Sequence, residues 1–471
     1  MEREGEEVLS EICSYVLRKR EFSLNAIDNA YLCFWDSLAC LFLGVKSAEC
    51  RLRMEPLFDE PSDSFSCLIP GSTLRANPLD AAFAISCGLR WFDYNDAWLA
   101  QEWGHPSDNL GAILACAQYR EKKEGDKVSG LNILQWMVKA HEIQGVLSLK
   151  NSLNRFGLDH VVFVRVASAA VASAILGGGE KEVMSALTNS FVDGAPLRIY
   201  RHAPVTGWRK SWAAADAVRR AVWLAFIAKR GEMAYPNVLS QPQWGFSDAF
   251  LRGTQVVLDR PLSDYVMENV LFKAYPAEYH AQSAIEAALA LREEVLPKLE
   301  KIQRIEIHTQ LPAIRIIHKQ GPLHNPADRD HCLEYIVALA LLFGKVTHEL
   351  YENDVAADPR VDYLRKKMVT MEDKTYTAAY YDPEKMAVAN AVQVFFDDGS
   401  STEKKEVLFP LGHPRRRAEF QKILPLKIEH ALNGLFSEER KKELLDLYSK
   451  KEKFFTQSSL ELCSLFVPDL L

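Results

Sequence analysis

Trp91-Phe92-Asp93-Tyr94-Asn95-Asp96-Ala97-Trp98, continued by Glu102-Trp103-Gly104-His105-Pro106-Ser107-Asp108-Asn109-Leu110, gathers acids, a histidine and three tryptophans into one short stretch. Upstream of it Leu79, Ala82, Phe83, Ser86 and Leu89 recur at helical spacing, and downstream Leu110, Ile113, Leu114 and Ala117 do the same. The spacing predicts two apolar helices joined by a polar, aromatic turn, with the chemistry held between helices. His105 falls at the start of the second helix, where Pro106 suits the first turn and Ser107 or Asp108 can cap free amides. A helix start of this kind can hold a carboxylate, because unpaired N–H groups and the helix dipole point at it. The plainer alternative is that the acids cap helices and His105 bonds a nearby carbonyl.

Working outward, residues 6–18 and 24–43 read as amphipathic helices, the second nearly apolar all round and so buried. Residues 47–78 carry scattered prolines and read as a long connection, and residues 121–130 as a charged loop. Further helices are expected over 131–147, 161–176 and 213–228, the last opened by Ser211. Asp159 caps the helix from Val161, with His160 beside it. Gly177-Gly178-Gly179 lacks the spacing of a dinucleotide-binding loop and reads as a turn between helices.

From about Phe272 the character changes. Tyr275-Pro276-Ala277-Glu278-Tyr279-His280 leads into an alanine-rich helix, and residues 302–309 alternate apolar and polar as a half-exposed strand does. Asn325-Pro326 starts a helix expected to run through His331, Glu334 and Tyr335 to Phe343, and residues 392–409 form a hairpin around Asp397-Asp398-Gly399-Ser400. Helices return after Gly412. The expected fold is mainly α: a large all-helical domain (residues 1–271 and 412–471) with a smaller α+β lid domain (residues 272–411) inserted near the C-terminal part.

The 471 residues, 48% hydrophobic and 25% charged, have the composition of an ordinary globular protein, and the net charge of −7 argues against a general nucleic-acid binder. Nine scattered cysteines, never in a C-x-x-C spacing, read as reduced thiols and not as an iron–sulfur or zinc cage. His141-Glu142-Ile143-Gln144-Gly145 starts like a zinc-protease motif but has Gly145 where the second histidine belongs, so no metal site is expected. The acidic opening and the lack of 18 consecutive uncharged apolar residues lead us to expect a cytoplasmic protein that does not span a membrane.

One region departs from the overall charge. Arg198, Arg201, Arg209, Lys210, Arg219 and Arg220 face a single acid, Asp216. With Trp208 and Trp212 they could stack on single-stranded bases, but a small polyanionic substrate accounts for the local charge without a basic protein. His105, His160 and Lys210 each lie just before, or in the first turn of, an apolar helix. Singly, Lys210 reads as a solvated helix-end lysine and His160 as a satisfied core histidine. If the three helix ends converge, they make a positive pocket for a ligand with several carboxylates, flanked by Arg201, His202 and Arg209. At an effective dielectric of ~20 one ion pair at ~4 Å is worth ~4 kcal/mol before desolvation, so two or three suffice for binding.

These segments, together with Gly157-Leu158-Asp159-His160, Tyr200-Arg201-His202-Ala203-Pro204, Arg209-Lys210-Ser211-Trp212-Ala213-Ala214, Tyr265-Val266-Met267-Glu268-Asn269-Val270-Leu271-Phe272-Lys273 and Asn325-Pro326-Ala327-Asp328-Arg329-Asp330-His331-Cys332, resemble the MmgE/PrpD family. The resemblance runs through nearly the whole chain and is weakest after about Arg417. It implies a helical domain with an α+β lid, usually a homodimer, and a cofactor-independent elimination of water from 2-methylcitrate to 2-methyl-cis-aconitate in propionate catabolism. Positions matching the active-site pattern of a decarboxylase relative are Asp93, His105, His160, Lys210 and Tyr335, with His280 beside them. Ala97 departs from the pattern, where a threonine often follows the second acid.

Dehydrating a β-hydroxy carboxylate needs a base, an acid and cations. The expected roles are His105 and His160 for proton transfer and Lys210 for a carboxylate, helped by Arg209, Arg201 or His202. Asp93 would orient a histidine or the substrate hydroxyl, Tyr335 would donate from the lid, and Ser107 and His280 would contact substrate. Which histidine is the base stays open. So do decarboxylation or epimerisation of a related polycarboxylate, dehydration of citrate, and a non-catalytic polycarboxylate-binding role.

Overall fold

The computed structural model describes residues 2–57, 66–201, 206–382 and 384–470. Helix accounts for 60% and strand for 8%, so the fold is mainly α, with its four-stranded sheet in the C-terminal region. Apolar side chains form two principal cores. One gathers residues from Val8 to Phe272 and resumes from Phe420 to Phe466, and the other lies between Ala277 and Phe396.

The first core is built on the helix Leu24–Lys46, whose start is capped by the Ser23 hydroxyl accepting from the Ala26 amide at 3.0 Å. By length and composition this helix could cross a membrane, but 94% of its apolar window is packed inside the protein, which makes it a core helix. It packs on Pro78–Arg90 and on Arg417–Leu432. Where it meets Pro78–Arg90, Gly44 lies against the Gly88 carbonyl so closely that a Cβ there would collide with it. Asn77 caps Pro78–Arg90 by accepting from the amides of Leu79 and Asp80, which aims the far end of that helix at the Asp93 turn.

Several local expectations change. The connection at 47–78 contains the helix Ala48–Met54 and the antiparallel pair Cys67–Leu68 with Arg75–Ala76, both too short to show a period. A 3-10 turn, Pro106–Asn109, precedes the helix Leu110–Glu124, which runs into the expected charged loop and stops at Gly125 in the left-handed region. Arg209 and Lys210 lie inside the helix Arg209–Ala228, ahead of Ser211.

In the smaller lobe the sheet order is Met368–Glu372, Ile302–Thr309, Asn390–Phe396, Lys405–Val407, the first pair parallel and the others antiparallel. The helix Gln282–Val295 packs on Asn390–Phe396 and on Leu333–Phe343. Met368–Glu372 escapes the sequence reading because it is a half-buried edge strand without clean alternation. The helix expected from Asn325 breaks into Pro326–Arg329 and Leu333–Phe343, and the break presents Asp330 and His331. The chain crosses between lobes twice at one place: the Phe272 amide donates to the Gly412 carbonyl at 3.1 Å, and Phe272 stacks on Phe420 at 4.6 Å. A small apolar cluster at this junction joins Ala97, Leu99 and Leu271 to Tyr279 and Val388.

Candidate active site

A cavity of about 270 Å³ lies at the junction, lined from the helical lobe by Arg90, Asp93, His105, His160, Arg198 and Arg201, and from the other by Lys273, Glu278, Arg315 and His331. Five of these are cations of the arginine–lysine kind and only two are acids, which gives the site the charge of a polyanion receptor.

His105 stands immediately before the 3-10 turn Pro106–Asn109. Its Nδ1 lies 2.6 Å from the Asp96 carbonyl, which can only accept, so Nδ1 carries the proton and Nε2 is the lone-pair nitrogen. Nε2 accepts from the Arg90 guanidinium at 2.8 Å. Burial, then Arg90 and Lys273, push the imidazole well below the usual histidine range, outweighing the opposite pull of Asp93.

His160 stands 5.9 Å from His105, ring centre to ring centre. Its Nδ1 is 3.1 Å from the Asp159 carboxylate, whereas its buried Nε2 has no partner among the described residues. Gly104 lines the cavity beside this ring, and a Cβ there would press on the Gln144 amide. Arg201 grips Asp159 with two bonds of 2.5 and 3.1 Å. Burial pushes the Asp159 carboxyl up, but Arg201, His160 and Arg198 together hold it below the carboxylate range, so it stays charged behind His160. Burial also lowers His160 well below its ordinary value, only partly opposed by Asp159. A cavity-lining histidine with an aspartate beside one ring nitrogen and no partner among the described residues at the other has the means to act as a general base.

Asp93 has a positive φ of 51° and an ion pair with Arg90, and it takes Lys273 at both its carbonyl (2.5 Å) and its carboxylate (3.0 Å). Its Oδ1 is 3.7 Å from His105 Nε2. Burial pushes this carboxyl up, yet Arg90 and Lys273 hold it well below the usual range. Burial lowers Lys273 in turn, which brings its proton nearer to transfer. Lys210 sits one layer back: its ammonium pairs with Asp330 at 2.5 Å and lies 3.1 Å from Nδ1 of His331, and it is His331 that lines the cavity.

The other expected residues lie apart. Tyr335 is buried in the smaller lobe's core and donates its hydroxyl to the Leu350 carbonyl at 3.0 Å; it lines a different cavity, beside Lys319 and Arg365. The helical spacing from Leu333 to Phe343 turns its side chain inward. His280 is enclosed between Glu278 at 2.8 Å and the Tyr380 hydroxyl at 3.0 Å. Ser107 gives its hydroxyl to Asp96 at 2.6 Å, and Arg209 turns outward to Asp216 at 2.8 Å and over the Trp212 ring. His202 lies outside the described residues.

Sequence reasoning passed over Arg90, Lys273, Glu278, Arg315 and His331 as site residues, and counted Arg198 only within the basic stretch. Arg90 ends an apolar helix and Lys273 follows an apolar run, so each reads as solvated until the turn at Asp93 folds back on them. His331 lies in a segment whose pattern reads as part of a helix. Cys33, Asp96 and His141 bring ligand atoms within 4.8 Å of one another, the one such group among the described residues. All are buried, with Asp96 already bonded to Ser107 and to His141 at 3.0 Å, so the group reads as a hydrogen-bonded brace behind His105.

Known proteins resemble this chain over most of its length. Residues 10–259 match the MmgE/PrpD N-terminal domain and residues 275–452 the MmgE/PrpD C-terminal domain. The chain is 47% identical over 417 residues to the 2-methylcitrate dehydratase of Escherichia coli (strain K12), covering 87% of this chain and 86% of that one. It is 44% identical over 450 residues to the mitochondrial 2-methylcitrate dehydratase of Yarrowia lipolytica, covering 93% and 86%. It is 42% identical over 477 residues to a probable 2-methylcitrate dehydratase of Saccharomyces cerevisiae, covering 98% and 92%. With both domains matched in order and identity this high over so much of its length, the chain belongs to the MmgE/PrpD family.

Proposed function

We propose that this protein is a hydro-lyase that eliminates water from 2-methylcitrate to give 2-methyl-cis-aconitate. The observation that carries the reading is the pairing of a carboxylate-braced histidine, free at one nitrogen, with a cavity whose other charged groups are mostly cations. His160 Nε2 takes the proton from the carbon bearing the methyl group and a carboxylate. The electron pair forms the C=C bond, and the C–O bond of the neighbouring carbon breaks. Arg90, Arg198, Arg201 and Lys273 hold the carboxylates and the charge that develops. A bound trianion draws Arg90 off His105 Nε2 and raises the pKa of that imidazole, so His105 arrives protonated at Nε2 and delivers the proton that turns the leaving hydroxide into water.

Purified protein with 2-methylcitrate should produce the ultraviolet absorbance of a conjugated tricarboxylate, with the product identified by NMR; absence of that product would sink the reading. We further propose that the elimination needs no metal, since the cationic side chains supply the charge a Lewis acid would. Prolonged treatment with a chelator should leave the rate unchanged, and loss restored by a divalent ion would refute this.

Two further outcomes follow. Burial holds both cavity histidines neutral, and a lowered pKa means they take up protons only below the ordinary histidine value. The acid limb of kcat/KM for the free enzyme should therefore fall below about pH 6.5; a limb at or above it would contradict the burial argument. Arg315, exposed at the cavity mouth without an ion pair among the described residues, meets the substrate on approach. Arg315→Ala should raise KM several-fold, about 1 kcal/mol, with little change in kcat, and the effect should shrink as salt is added.

A further inference from the structure

The cavity is two-sided. Against the cations stands an apolar portion drawn from one contiguous cluster: Ala97, Leu99, Trp103 and Tyr279 belong to it and all line the cavity, joined there by Ile316 of the smaller lobe. Its backbone is fixed. Ala97 exchanges two bonds with Leu271 (2.8 and 3.1 Å), and Trp98 pairs likewise with Gly104, so Leu99 is held at the end of a short bridged loop. Trp103 brings no free donor, because its indole N–H is already given to Tyr380 at 3.0 Å. A cavity meant only for carboxylates and a hydroxyl has no use for such a surface, and leaving it wet costs free energy.

We propose that Ala97, Leu99, Trp103 and Ile316 form a methyl-recognition pocket that sets the preference for tricarboxylates carrying a methyl group on the carbon that loses its proton over those carrying hydrogen there. This rests on the dehydratase reading and adds to it the determinant of substrate choice. The methyl is the one apolar feature separating 2-methylcitrate from citrate. It sits on the carbon that must present its hydrogen to His160, so seating it also orients the C–H bond. One methylene in an apolar pocket changes kcat/KM by roughly ten-fold or more.

The test compares kcat/KM for 2-methylcitrate and citrate in the wild type, in Leu99→Ala, which empties the pocket, and in Ala97→Val, which fills it. The ratio of the two substrates does not depend on how much of a variant is folded. In each variant the ratio should shift toward citrate by roughly ten-fold. Variants that lose both activities in proportion, leaving the ratio unchanged, would overturn the pocket while the dehydratase reading stands. A wild type that dehydrates neither substrate would overturn the dehydratase reading, and the pocket with it.

Discussion

Asp159→Asn is expected to lower kcat/KM for 2-methylcitrate by roughly 10²–10⁴-fold, the range for disabling one general acid or base. The carboxylate does two things that an amide cannot. It stands 3.1 Å from His160 Nδ1, where it favours the proton on that nitrogen and leaves the lone pair on Nε2, and it neutralises Arg201 at 2.5 Å. Asparagine can turn its NH₂ to Nδ1 and so favour the tautomer with its proton on the wrong nitrogen. His160→Ala should cost about as much, and the double variant little more than either alone, because the two residues act as a unit. The check is turnover by absorbance alongside thermal unfolding. Activity within a few-fold of wild type, or two losses that simply multiply, would remove His160 from the role of base.

Lys427→Met is expected to destabilise the fold by roughly 3–5 kcal/mol, the cost of leaving a buried charge without its partner. Lys427 lies on the helix Arg417–Leu432, and its ammonium reaches Asp36 at 2.7 Å and the Tyr94 carbonyl at 2.9 Å. Burial already pushes the Asp36 carboxyl up to about 6 against the pull of Lys427. Without the lysine that carboxyl would rise further and be buried protonated or unpaired. Adding Asp36→Asn should recover part of the loss. A midpoint of thermal unfolding unchanged by Lys427→Met would show the pair to be dispensable.

Much of the fold was legible because apolar periodicity is strong in the segments that make the first core. The helix Val161–Ile175 and the strand Ile302–Thr309 are examples. What escaped was short or marginal, as with Met368–Glu372. For the site, histidines at helix starts were a usable signal: His105 and His160 meet at one cavity, because helix ends gather where lobes join. Lys210 shared the placement but points to Asp330, one layer behind. Tyr335 shows the opposite limit, since matching a position says nothing about which face of a helix turns to the core. Arg90 and Lys273 were invisible because only the reversal at Asp93, with its positive φ, brings them together. No local sequence period encodes that meeting.

The paired crossings at Phe272 and Gly412 make the smaller lobe a cassette. Its two ends leave the helical frame side by side, bonded to each other, so the frame fixes the gap that any replacement must bridge. An exchanged lobe would meet that same gap and bring its own side chains at positions 315 and 316 to an unaltered pair of histidines. Within this family, new substrate ranges could then arise by recombination at two splice points, without the proton-transfer groups of the larger lobe being rebuilt.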